Sequence, residues 1–523
     1  MIILENRIKF TKSYQLYERS CKSYWHGTTQ SKTPENYIPG QFPLFIEKSK
    51  GAYLWDIDGN RYTDYIMGYG AISLGYCIDE VDEAAIAQIR NGLMTSLTSS
   101  VQTQLAELLA DVIPCAERVH LCKTSSDATA AAVRLARIHT GRDKIVRWGY
   151  NGWHDWCSSK TAGIPEGVRQ DILTFKYNDL NSLEEQFKQY PDQIAAVIMM
   201  PLEVISPEEG FLEGVKNLAH KYGALFILDE RRTGFRMSLG GAQEYYGVTP
   251  DLATFSKGMA NGYAVSALVG RADVMDSLKE SRFSSTFFTN TSEMAAAIKT
   301  IECIREKNVV PYIWKLGGKL MDGLREIIKV TGVEAEMIGV DIMPYIIFNY
   351  DNAKWISPTG FSGAPVFEPG GKVEKAWRTF YAEAAQGVVL LHPNHHWYVG
   401  MSHTEQDIDE TLNVCETALW KVKEELQSPQ RINRKTARPP EGARLGVPSG
   451  AFAKKKSPDP EKGRGKGIVG LAAGRLPGYE VRSHWISCAC IVAWRRGKVC
   501  RNQYGVEKFS FAGRTLAKGT LIC

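Results

Sequence analysis

Hydrophobic and polar positions alternate in two rhythms along residues 51–427. The stretch "GAYLWDIDGNRYTDYI" (51–66) alternates residue by residue around an Asp-Gly pair, which predicts a β-hairpin. "DEVDEAAIAQI", "QTQLAELLADVI", "TAAAVRLARIH" and "LEGVKNLAHKY" instead repeat with helical spacing. Short apolar runs that read as buried strands lie among them: "RVHLC" (118–122), "KIVRW" (144–148), "AAVIMM" (195–200), "ALFIL" (224–228), "LATF" (252–255) and "VSALV" (265–269). Strands alternating with helices predict an α/β fold with a mostly parallel sheet covered by helices. After about residue 292 the pattern changes to a helix, short strands and the amphipathic "EQDIDETLNVCETALWKVKEEL". This predicts a smaller α+β domain. The expected division is an N-terminal segment (1–70) contributing to the small domain, a large domain (71–310), a C-terminal small domain (311–427) and an extension (428–523).

Charge sharpens that last boundary. The chain of 523 residues carries a formal net charge of +5, yet residues 428–523 hold 20 Lys+Arg against 5 Asp+Glu, and the remainder holds 43 against 53. The basic character belongs to a Pro- and Gly-rich extension that reads as disordered, so the main body is not expected to bind nucleic acid specifically. Cys488, Cys490, Cys500 and Cys523 have no zinc-ligand spacing, and no metal site is expected. No apolar run reaches membrane-spanning length. The opening "MIILENRIKF" meets charge within five residues and lacks a long apolar core, so a cytoplasmic location is the expectation.

Candidate chemistry collects where strands end, the edge at which parallel sheets bind ligands. "ALFILDERRTGFR" carries an apolar strand into Asp229, Glu230, Arg231 and Arg232. That cluster reads either as an ion-paired strand cap or as part of a site. In "DLATFSKGMANGY", Lys257 directly follows a strand in a small-residue loop. It is either a solvated loop lysine or a desolvated amine able to form a Schiff base. "HLCKTSSDATAAAVRLAR" breaks from strand into Thr124-Ser125-Ser126-Asp127 before an Ala-rich helix, which suits helix capping and equally an anion. "RWGYNGWHDW" offers Tyr150 and further aromatics, as core packing or as a plate for a ring.

Taken together with "GAYLWDIDGNRYTDY", "GGAQEYYGVTPDLATFSKGMANGY" and "LHPNHHW", these segments resemble the class III pyridoxal-phosphate aminotransferases, closest to the glutamate-1-semialdehyde 2,1-aminomutase-like branch, over roughly residues 30–425. The resemblance implies a fold type I PLP-dependent transferase, with pyridoxal 5'-phosphate as cofactor and small-molecule amino and oxo substrates. It implies Lys257 as the Schiff-base lysine and proton carrier, and Asp229 as partner of the pyridine nitrogen. Tyr150 is implied to stack on the ring, and Ser125 and Ser126 to hold the phosphate. Thr286 is implied to reach the phosphate of a partner subunit, hence a homodimer.

Three activities follow as expectations. A transaminase with an amino-acid donor is favoured by "SKGMANGY", because the aminomutases tend to carry a glycine triplet after the lysine. "GGAQEYYGVTPDL" resembles the aminomutase branch. A weakened or inactive relative is the third reading, because Arg231 stands where the family has Val or Ile and Ser125 where it has Gly. Arg231 either swings away from the ring, pairs with Asp229, or places a cation beside the pyridinium at a cost of roughly 4 kcal/mol. His392, His395 and His396 read as site-lining groups or as packed loop residues.

Overall fold

The computed structural model describes residues 7–427 apart from 352, 358–359 and 367–368. The expected extension and its four cysteines lie outside the described residues. An N-terminal sheet supplies β1 (Ile46–Lys50), β2 (Tyr53–Asp56) and β3 (Arg61–Asp64). The central sheet follows with β4 (Arg118–Cys122), β5 (Lys144–Trp148), β6 (Ile172–Thr174), β7 (Ile194–Met199), β8 (Leu225–Asp229), β9 (Leu252–Phe255) and β10 (Ser266–Gly270). Its seven strands lie in the order β4-β10-β9-β8-β7-β5-β6. Every residue of β7, β8 and β9 is buried, as strands covered on both faces require.

Pairing is parallel from β6 through β5, β7 and β8 to β9, whereas β10 runs antiparallel to both β9 and β4. Only the short segment 256–265 joins β9 to β10, too little for the crossover a parallel return needs. This reversal leaves Lys257 in a turn at the sheet edge instead of inside a crossover helix. β6 is a short edge strand that the apolar pattern does not announce.

The helix Ser125–Thr140 shows why its segment folds as it does. Thr124 Oγ1 accepts the Asp127 N–H while the Asp127 carboxylate accepts the Thr124 N–H, and Gly141 closes the other end in the left-handed region at φ +66°.

The expected hairpin forms from β2 and β3, in register Tyr53 with Thr63. β3 also pairs in parallel with Val389–Leu390, so N- and C-terminal segments share a four-stranded sheet. The helix Glu405–Gln427 packs along Lys372–Gln386 and Val309–Thr331. Among the described residues no helix is long and apolar enough to cross a membrane.

Arg236 joins segments from both ends of the chain. Its buried guanidinium donates to Val399 O (2.8 Å), Ile72 O (3.2 Å) and Ser73 Oγ (3.1 Å), and lies 4.9 Å over the Tyr398 ring. Removing it strands three buried acceptors at about 1 kcal/mol or more each. Arg236→Met is therefore expected to lower stability by about 3 kcal/mol, read as a lower denaturant midpoint with an unchanged slope.

Candidate active site

Asp229 ends β8, fully buried, and its register partner on β9 is Thr254. Lys257 follows the end of β9 closely, so amine and carboxylate arise from neighbouring strands at one sheet edge. A buried carboxylate needs donors. Asp229 receives them from Asn151 Nδ2 (3.1 Å), Thr254 Oγ1 (3.3 Å), Arg231 Nη2 (2.7 Å) and, at 3.4 Å, the Arg231 N–H. The strand stops at Asp229, and Arg231 folds back from the following turn onto the carboxylate. Pairing is thus the outcome among the three that the sequence allowed.

Lys257 sits at φ +51°, a region costing a residue with a side chain about 1–2 kcal/mol. Its Nζ donates to the main-chain carbonyl of Tyr69 (2.6 Å), itself at φ +59°. Burial, then the positive charges of Arg232 and Arg231, hold the Lys257 pKa well below that of an ordinary lysine. A neutral amine is the nucleophilic form.

The anion end is built by a staple between the helix Ser125–Thr140 and the loop after β5. Thr129 Oγ1 donates to Asn151 O (2.7 Å), and Ser126 Oγ accepts from the Trp153 N–H at 3.4 Å. Gly152, at φ +127°, brings the loop so close that a Cβ would stand 2.7 Å from Ser126 Oγ. The cap engages the amides of Thr124 and Asp127, which leaves the first-turn amides of Ser125 and Ser126 for an anion. Through Asn151 the same loop reaches Asp229, so the staple sets both ends of the site. Tyr150, half exposed, belongs to this loop.

Lys257, Asp229, Tyr150, Ser125 and Ser126 are thus brought to one sheet edge. Thr286 is not brought to them. It is exposed in the turn Thr286–Thr289, whose Phe288 meets His120 of β4 edge-on at 6.4 Å, and no contact among the described residues ties it to Lys257 or Asp229.

Tyr69 carries no signal in the sequence, whereas Arg232 and the three histidines are visible there only as candidates. Tyr69 acts through its backbone carbonyl and through a fully satisfied phenol. His392 Nδ1 accepts the Asn394 N–H (3.0 Å), so the neutral ring donates from Nε2 to Tyr69 OH (3.2 Å); Tyr37 OH lies at 3.1 Å and Ser31 O accepts at 3.1 Å. Arg232, half-buried, pairs with the buried Glu203 at 3.3 Å. His395 directs Nδ1 at the His396 carbonyl (2.9 Å), and His396 Nε2 meets Tyr398 OH (2.8 Å). Burial takes the His392 pKa down to about 3 and, with Arg232 and Lys257 adding to it, holds His395 and His396 well below the usual histidine range. All three imidazoles are neutral.

Residues 37–354 match the family description "Aminotransferase class-III". The chain is 39% identical over 431 residues to the 3-aminobutyryl-CoA aminotransferase of Cloacimonas acidaminovorans, covering 81% of this chain and all of that one. It is 34% identical to a glutamate-1-semialdehyde 2,1-aminomutase of Lachnoclostridium phytofermentans, covering 78% and 99%. A solved structure of the FumI protein of Sphingopyxis sp. MTA144, in its PLP internal aldimine form, aligns with a TM-score of 0.73 at 30% identity, covering 80% and 98%.

The residues present fit pyridoxal phosphate. Arg147, Arg231 and Arg232 stand by Asp229 and Glu203, a positive surplus that suits a phosphorylated ligand, and the cradle at Ser126 and Gly152 suits the phosphate. An amine of lowered pKa and a buried carboxylate stand at the same edge for the aldehyde and the ring nitrogen. The chain has the fold type I architecture, depends on pyridoxal phosphate, and belongs to the class III aminotransferases.

Proposed function

We propose that the protein is a transaminase whose amino substrate carries a 3-amino group on an acyl thioester, with a 2-oxo acid as partner substrate. The observation that carries this reading is the neutral histidine wall beside Lys257. A free carboxylate is usually recognised by an unpaired, bidentate arginine. Here Arg232 already holds Glu203, and the imidazoles of His392, His395 and His396 line this side with uncharged groups that give a carboxylate no counter-charge. The resemblance to the 3-aminobutyryl-CoA aminotransferase along that protein's whole length points the same way.

In this reading the Lys257 amine would hold the cofactor covalently and would move a proton at the amine-bearing carbon of the substrate. Asp229 would keep a proton at the ring nitrogen, Tyr150 would lie against the ring, and the Ser125 and Ser126 amides would take the phosphate. Bound pyridoxal phosphate supplies the electron sink that makes that carbon acidic. Tyr69 positions the Lys257 amine through its carbonyl.

A homodimer is part of the proposal. Leu93, Met94, Leu97 and Phe287 are exposed, Leu97 by 84%. The Thr291 N–H donates to Leu93 O (3.0 Å), which sets this apolar loop beside the segment carrying Thr286 and Phe287. A second copy covering that patch would bury Thr286 at the interface, where the family resemblance has it reach the partner's cofactor phosphate.

Three outcomes test these assignments. Purified enzyme is expected to aminate 2-oxoglutarate from a 3-aminoacyl thioester with kcat/KM about 100-fold above that for the free 3-amino acid. Complete conversion of an amino-aldehyde without any added oxo acid replaces the transaminase by an aminomutase. Leu97→Asp is expected to halve the mass seen by light scattering and to weaken cofactor retention. Lys257→Met tests the amine. The folded pKa of Lys257 is depressed, so between the folded and unfolded values the unfolded chain binds the extra proton, and wild-type stability rises with pH through that window. Cofactor-free Lys257→Met is thus expected to melt above wild type at pH 7, the gap narrowing toward pH about 10.4.

A further inference from the structure

We propose that Arg231 is an internal occupant of the cofactor's ring slot, which pyridoxal phosphate must displace to bind, so that this side chain sets the affinity for the cofactor. The proposal rests on the roles assigned above to Asp229 and Tyr150. The Arg231 guanidinium makes the two contacts that a protonated pyridine ring needs. It donates from Nη2 to Asp229 Oδ2 at 2.7 Å, and its Cζ stands 4.7 Å over the Tyr150 ring. Guanidinium and pyridinium are both flat cations, and one aromatic face with one carboxylate cannot hold them together. Arg231 is 2% exposed, so its present position is a packed one.

The fit of the guanidinium is incomplete. Its Nε is buried without a hydrogen-bond partner among the described residues. Its charge also lies near that of Arg147, whose guanidinium is committed to Asn151 Oδ1 (3.1 Å), Cys157 O (2.7 Å) and Gly149 O. Two cations therefore crowd one carboxylate. The half exposure of Tyr150 gives the long side chain a route outward. The apparent affinity for the cofactor is then the intrinsic affinity scaled by the fraction of molecules in which Arg231 has left.

The test compares cofactor-free wild type with Arg231→Met and Arg231→Gln, titrated with pyridoxal phosphate and read by the absorbance of the lysine adduct and by equilibrium dialysis. Methionine removes the plug at similar length; glutamine keeps a donor for Asp229 without the charge and serves if the methionine variant folds poorly. Both are expected to bind pyridoxal phosphate about tenfold or more tighter than wild type. In the same proteins without cofactor, the melting temperature is expected to fall, most for methionine, because Asp229 loses its cation. The two readouts move in opposite directions, which a purely structural arginine does not produce. Equal or weaker cofactor binding by both variants overturns the proposal. Lys257→Ala separates this from the reading beneath it: if that variant keeps the adduct absorbance, the assignment of Lys257 fails, whatever Arg231 does.

Discussion

A carboxylate buried at the end of a central strand is the constraint on which the site depends. Without water, Asp229 must be met by donors, and leaving it unpaired costs about 3–5 kcal/mol. The fold answers with a neutral pair, Asn151 and Thr254, and a charged partner, Arg231. Each donor has a separate origin. Thr254 is fixed by strand pairing, Asn151 by the staple to the phosphate helix, and Arg231 by the turn after β8. The same carboxylate therefore couples the sheet register, the anion cradle and the ring slot.

The walls of the site are also held by buried polar groups. Asp64 accepts the N–H groups of Ile66 and Met67 (2.9 Å each) and the Tyr76 hydroxyl (2.8 Å), just ahead of the left-handed run at Met67, Gly68 and Tyr69. That run turns the Tyr69 carbonyl to Lys257 and its phenol to His392. From the other end of the chain, Trp377 Nε1 and Tyr345 OH both donate to Pro393 O (2.9 and 2.6 Å), fixing the loop that carries the histidines. The substrate side is thus assembled from segments more than 300 residues apart in sequence, joined by Arg236.

That construction explains what the sequence makes legible. β4, β5 and β9 follow the apolar runs residue for residue, and β7, β8 and β10 lie within one residue of theirs, because strands covered on both faces are marked by short, largely apolar runs. Lys257, Asp229 and the Thr124–Asp127 turn are legible because strand ends are where charged and small residues interrupt the pattern. Tyr69 is not, since a backbone carbonyl has no residue type. The reversed direction of β10 follows from the shortness of 256–265, a cue in loop length and not in polarity. Arg231 is visible as an anomaly in the sequence, but only three-dimensional placement chooses pairing over the alternatives. The role of Thr286 depends on a surface that a single chain leaves open.

The charge arrangement links nucleophile and slot more tightly than their positions suggest. Arg232 and Arg231 are, after burial, the leading reasons that the Lys257 pKa is lowered, while Asp229 opposes them. Arg231 thus acts twice: it neutralises Asp229 and helps deprotonate Lys257. When a ring cation takes its place beside Asp229, the positive charge near Lys257 is replaced and not simply lost, so the amine's environment stays cationic through loading. Arg232, held by Glu203, remains as the fixed part of that field. An aliphatic residue at 231 would leave the amine to rely on burial and Arg232 alone before the cofactor arrives. The arginine that obstructs the slot is therefore also one of the groups that keeps the cofactor-free lysine ready to react.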